Sequence, residues 1–272
     1  MQLFARLDLS PKEREKRRAA VTLLKIPWEE LQFFWETKVL LKDCQVVLIS
    51  RSSSLCGQKN SRTTRFAEVR WYFVLDFEST CCKDQSDTML PEIIEFPVVI
   101  MDSVDGRIVD SFRRFVRPTE NPILSDFCTK LTGIHQERVK KADDLSVVLK
   151  EFDLWLKQKK EQLCCRFRPT DVATAIFVTW TDWDIGTCLW NECRRKKLPL
   201  PNDLLNRIDM KAIFQQWLGS SQAKQRWHGG LSDALRLVGL TFEGRPHCGI
   251  DDARNTALLL RHLLLKNIFV NI

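Results

Sequence analysis

The chain has 272 residues, 44% hydrophobic and 28% charged, with 42 lysines and arginines against 35 aspartates and glutamates, a net charge of +7. This balance fits an ordinary globular protein of one large domain, with or without an appended segment, and excludes a membrane span, because no apolar stretch is long enough. The basic excess suits a polyanion such as nucleic acid without requiring one.

The opening "MQLFARLDLS" lacks the long apolar core of a secretory signal. None of the ten cysteines stands in a Cys-x-x-Cys pair, which argues against a zinc ribbon. Reduced thiols, and hence a cytosolic or nuclear location, are the expectation.

In chain order, Ser10-Pro11-Lys12-Glu13 reads as a capped helix start, and "PWEELQFFWETKVLLKD" as a second, amphipathic helix. The Ser-rich stretch at 51–66 reads as a linker, so residues 1–66 form a helical N-terminal extension and 67–272 the main domain. "RWYFVLDF" is a β-prone run, followed by a hairpin around Asp105-Gly106. "PILSDFCTKLTGI" predicts a helix ending at Gly133. "DLSVVLKEFDLWLKQKK" predicts another, with Val148, Phe152 and Trp155 on one face.

A buried strand is expected at "ATAIFVTW" and a helix with a basic end at "CLWNECRRKK". A further helix, "GLSDALRLVGL", would be capped by Ser232 and closed by Gly239. The last helix is "DDARNTALLLRHLLLK". Hairpin-linked strands followed by alternating strands and helices imply an α/β layer structure, a mixed sheet with helices on both faces.

Three acidic clusters interrupt this pattern. In "WYFVLDFEST", Asp76 and Glu78 stand two apart at the end of an apolar strand, so both point to one face. Two carboxylates there repel each other unless a cation lies between them, and hard divalent cations prefer oxygen ligands. In "AIFVTWTDWDIG", Asp182 and Asp184 precede a helix; one of them can be a simple cap. In "GRPHCGIDDARN", His247 lies in a turn, and Asp251 and Asp252 open the last helix with the same ambiguity.

Together, "FVLDFEST", "WTDWDIGTCL" and "GRPHCGIDDARN" resemble the three motifs of the DEDDh-type 3′→5′ exonucleases. "EIIEFP" and "LTGI" are similar to the histone-mRNA exonuclease and Snipper-like branch, over residues 70–268. The resemblance implies an RNase H-like fold with a five-stranded mixed sheet. It implies metal ligands at Asp76, Glu78, Asp184 and Asp252, with His247 as general base and Glu78 able to share that role.

Phe77, Ser79, Leu131 and Thr132 would line the terminal-nucleotide pocket beside His247, with Trp183 a candidate for stacking. The basic run Arg194 to Lys197 reads first as a solvated helix end and second as a phosphate-attracting patch.

The implied chemistry is phosphodiester hydrolysis with two Mg²⁺ ions, roughly 3.5–4 Å apart, Mn²⁺ being able to substitute. The substrates would be RNA 3′ ends, with single-stranded or overhanging DNA as an extension, and the products nucleoside 5′-monophosphates. The rival readings are a DNA-directed repair exonuclease of the same fold and a non-cleaving RNA 3′-end binding module. A metal-dependent phosphatase is the weakest of the alternatives.

Overall fold

A computed structural model describes residues 69–83, 90–167, 174–221 and 227–266. The two expected helices and linker within residues 1–66 lie outside the described residues. Among the described residues, no helix is long and apolar enough to cross a membrane.

The β-prone run forms β1 (Trp71–Leu75), and after a two-residue break β2 (Glu78–Ser79) follows. β3 (Ile93–Asp102) and β4 (Ile108–Phe115) make the expected hairpin around a turn that includes Gly106. β5 (Ala175–Thr179) and β6 (Arg207–Asp209) complete the sheet. β1 lies at its centre, antiparallel to β3 and parallel to β5. β4 is antiparallel to the far side of β3, and β6 parallel to β5.

Six strands thus occupy five columns. The register of β1 on β3, Trp71↔Asp102 to Leu75↔Val98, continues into β2 as Glu78↔Glu95 and slips only at Ser79↔Ile93. β1 and β2 are one strand interrupted at Asp76-Phe77, which reconciles the sheet with the five-stranded expectation.

Both faces of the sheet are covered, as the uninterrupted apolar run of β1 requires. Trp71, Phe73, Leu75 and Phe77 pack with Phe96 and Phe177 beneath α3 (Leu145–Gln162), through Val148, Phe152 and Leu156. Tyr72 and Val74 face the other way. They pack with Val99, Ile176 and Val178 against α5 (Met210–Ser221), α6 (Leu231–Leu237) and α7 (Gly249–Leu265).

α1 (Asp126–Thr132) is capped by Ser125, whose hydroxyl accepts the Cys128 N–H at 3.0 Å, and ends at Gly133 with φ +72°, a conformation open to glycine. The short α2 (Gln136–Lys140) follows. α4 (Trp190–Lys196) continues a π-helical turn, Trp183–Leu189, so the expected helix begins earlier and wider than its sequence suggested.

Ser232 is not a cap. α6 already begins at Leu231, and its cap is Gly230, whose N–H donates to the Asp233 carboxylate at 3.0 Å. A glycine has no side chain to offer there, so the helix's own third residue reaches back instead.

Candidate active site

The site forms where the carboxyl ends of β1 and β5 meet the amino end of α7. Asp76 falls in the break between β1 and β2, and Glu78 opens β2 on the α7 face of the sheet. Asp252, in the first turn of α7, reaches the same point. Asp76, Glu78 and Asp252 each place a carboxylate oxygen within 4.8 Å of the others. Glu78 is 7% and Asp252 8% exposed.

Carboxylates gathered this way resist ionisation. Burial first, then the charges of Asp184, Asp252, Glu78 and Glu95, hold Asp76 well above the usual carboxylate range. Burial and the Asp252 charge push Glu78 up to about 9. Asp184 and Asp252 rise to about 7, again chiefly through burial, offset in part by backbone N–H groups. Such a set lacks positive charge, and an oxygen-preferring divalent cation supplies it. By donor chemistry the residues fit one.

Asp184 is buried on the π-helical turn and joins the group through the backbone. Its Oδ1 accepts the Phe77 N–H at 2.8 Å, a donor that the break in the strand leaves without a sheet partner. Asp182 has a different task. Its carboxylate binds Arg207 of β6, whose Nε donates at 2.6 Å and whose side chain is buried. A π-helical turn at such a position is a recurrent feature of functional sites.

His247 is exposed, at φ +62°, in the turn before α7. A non-glycine residue held there is strained, so its neighbours must fix it. Asp251 accepts the Arg245 N–H at 3.1 Å. Arg245 in turn donates to the Lys130 and Leu131 carbonyls at 2.7 and 3.3 Å, tying the turn to the end of α1. Neither Asp251 nor Asp252 is the cap of α7. That position is Cys248, which makes no side-chain capping bond.

The expected pocket residues divide by burial. Phe77 is buried, its ring tilted against that of Phe96 (4.5 Å between ring centres), on the α3 side of the sheet. Thr132 is buried, its hydroxyl donating to the Cys128 carbonyl at 2.9 Å. Ser79 and Leu131 are half-buried, and Trp183 is 41% exposed.

The basic run is not all solvated. Lys196 bonds Glu92 and Glu192 at 2.6 Å each, and Arg195 donates to Glu120 at 3.0 Å. Glu92 also accepts the backbone N–H groups of Thr119, Glu120 and Asn121. Burial works against the Lys196 ammonium, but the hydrogen bonds to Glu192 and Glu92 outweigh it and raise its pKa. The reading of this run as a phosphate-attracting patch therefore fails for Lys196 and Arg195, whose charges are already paired.

Sequence reasoning missed Glu95. It lies opposite Glu78 in register, is fully buried, and binds Arg113 Nε at 2.7 Å. Its only signal in the sequence is a charge in an otherwise apolar strand, "IIEFPVVI".

Residues 73–260 match the RNase T-type exonuclease family. The chain is 42% identical over 220 residues to ERI1 exoribonuclease 2 of Mus musculus, covering 78% of this chain and 31% of that protein. It thus spans about a third of that relative's length. It is 36% identical over 212 residues to the 3′-5′ exonuclease Snipper of Drosophila melanogaster, covering 75% of this chain and 73% of Snipper.

Among solved structures, the nuclease domain of 3′hExo, described as a DEDDh family member bound to rAMP, superposes with a TM-score of 0.65. It is 31% identical, over 74% of this chain and 95% of that one.

Proposed function

The chain belongs to the DEDDh exonuclease family, in the branch of the histone-mRNA exonuclease and Snipper. From that premise we propose that it removes nucleotides stepwise from the 3′ end of RNA, with Mg²⁺ as the resident cation. Single-stranded or overhanging DNA is a secondary substrate, and the products are nucleoside 5′-monophosphates. The observation that carries this reading is the convergence of Asp76, Glu78 and Asp252 within 4.8 Å in a buried setting. A protein that only held RNA ends would gain nothing from so unfavourable a concentration of acids.

Asp76, Glu78, Asp184 and Asp252 would hold the cations. When bound, these lower the pKa of a water and offset charge on the phosphate. His247 takes the proton of the attacking water, and its exposed position lets it close on a substrate. Glu78 stands near enough to the acids to share that role. Ser79 and Leu131, half-buried, would line the terminal-nucleotide pocket with the buried Phe77 and Thr132 packed behind them, and the accessible face of Trp183 would stack on a base, worth ~1–3 kcal/mol. The relative bound to rAMP supports a ribonucleotide pocket. The free cysteines among the described residues suit the cytosol or nucleus.

The test uses 5′-labelled single-stranded RNA, single-stranded DNA and 3′-overhang duplexes, with Mg²⁺ or Mn²⁺. A ladder shortening from the 3′ end, fastest on RNA and absent for Asp76→Asn, is expected. Internal cleavage products, or undiminished cutting by Asp76→Asn, overturn the assignment.

A further inference from the structure

α7 begins at Gly249 without a cap of its own, since Cys248 offers no side-chain acceptor to the first turn. The missing acceptor comes from the other end of the fold. Glu95 Oε2 accepts the Gly249 N–H at 3.1 Å, across 154 residues of sequence. Its other oxygen, Oε1, is held by Arg113 Nε at 2.7 Å, and a second nitrogen of the same guanidinium approaches Cys248 Sγ at 3.6 Å. Both oxygens of this fully buried carboxylate are engaged, and the positive charge of Arg113 offsets its own.

The fit at Gly249 is close. A Cβ there would lie 2.5 Å from the Asp76 carbonyl oxygen and 2.9 Å from Pro97 Cγ. The amino end of α7 therefore presses directly on the strand break that carries Asp76. Asp252 stands three residues farther along the helix, so wherever Gly249 sits, Asp252 follows.

We propose that Glu95 is a positioning residue of the acidic site: it caps α7 from across the sheet and so fixes Asp252 against Asp76 and Glu78, without itself holding a cation. The proposal rests on the reading of those acids as cation ligands. An anionic acceptor at a helix amino end is doubly favoured, by the hydrogen bond and by the helix dipole. Partners that orient ligands from outside the ligand set typically contribute 10–100-fold to metal affinity.

The experiment counts and titrates bound Mn²⁺ by electron paramagnetic resonance, with thermal melting in chelator as a check on folding. Glu95→Ala is expected to weaken Mn²⁺ binding about tenfold. Glu95→Gln keeps an oxygen for Gly249 and should lose less. Adding Cys248→Ser to Glu95→Ala supplies a cap within α7 itself, at a position already extended (φ −116°, ψ 107°), and should restore most of the affinity.

If Glu95→Ala does not fold, Glu95→Gln with and without Cys248→Ser carries the comparison. Wild-type affinity in a folded Glu95→Ala, or a Glu95→Gln that loses Mn²⁺ as completely as Asp76→Asn, overturns the proposal. Failure of the wild type to bind Mn²⁺ overturns the reading of the acids as ligands instead.

Discussion

The carboxylate of Asp184 holds the backbone N–H of Phe77 at 2.8 Å, locking the second acidic motif onto the strand of the first across 107 residues. Asp182, two residues earlier, is held by Arg207 instead. The two aspartates should therefore fail differently. Asp184→Asn leaves an oxygen to accept from Phe77 and should melt near wild type while losing activity. Asp182→Asn strips a buried guanidinium of its counter-charge and should cost about 3 kcal/mol of stability with activity retained in the folded fraction. Paired denaturation and rate measurements separate them; the reverse pattern would exchange their roles.

Without cations, stability should fall as pH rises. Glu78 is raised to about 9 and Asp184 and Asp252 to about 7, against ordinary values of about 4 in an unfolded chain. A raised carboxyl favours the folded state fully below about pH 4, and that contribution is lost as pH climbs through 7 towards 9. Cations need the ionised form, so their stabilisation should grow over the same range. Melting curves at pH 5 and pH 8, with chelator or with Mn²⁺, should show a larger Mn²⁺ gain at pH 8. An equal gain at both would contradict the buried acidic set.

His247→Ala should slow hydrolysis about 10²–10⁴-fold, as loss of a general base does, while Mn²⁺ binding persists. Arg245→Ala leaves the imidazole in place but releases the turn from the Lys130 and Leu131 carbonyls. It should reduce kcat by up to about a hundredfold, since misplacing a catalytic group by an ångström costs that much. Steady-state rates on labelled RNA test both; an unaffected Arg245→Ala would mean the turn is fixed by Asp251 alone.

Lys196→Met should destabilise the domain by about 3–5 kcal/mol, because Glu92 and Glu192 would then lie buried without a counter-charge. Chemical denaturation measures it. A change below 1 kcal/mol would show that the backbone donors to Glu92 suffice alone.

The sequence disclosed what is local. Asp76 and Glu78 could be placed on one face because alternation in a strand fixes direction, and the ends of α1 and the β3–β4 turn followed from Gly133 and Asp105-Gly106. What it left open depends on partners that only the fold brings near. Asp182 and Asp184 look alike until Arg207 arrives from β6. "RRKK" looks solvated until Glu92 meets Lys196. Glu95 looks like any charge in a strand until α7 descends on it. The cap of α6 was misjudged because a glycine cap leaves no side-chain signal.

The π-helical turn at Trp183–Leu189 also bears on how the chain tolerates length changes. Its wider spacing fits an extra residue between Asp184, fastened to Phe77, and Glu192, fastened to Ile93 at 2.7 Å. In an α-helix each residue advances about 100° around the axis. A further residue inserted into this already widened turn would rotate one fastening away from its mate by about that angle, whereas losing the surplus residue would let the turn close to an α-helix. Gain of a single codon here is thus more damaging than its loss or than most replacements, and the segment is a poor place for a tag, a loop graft or a circular break.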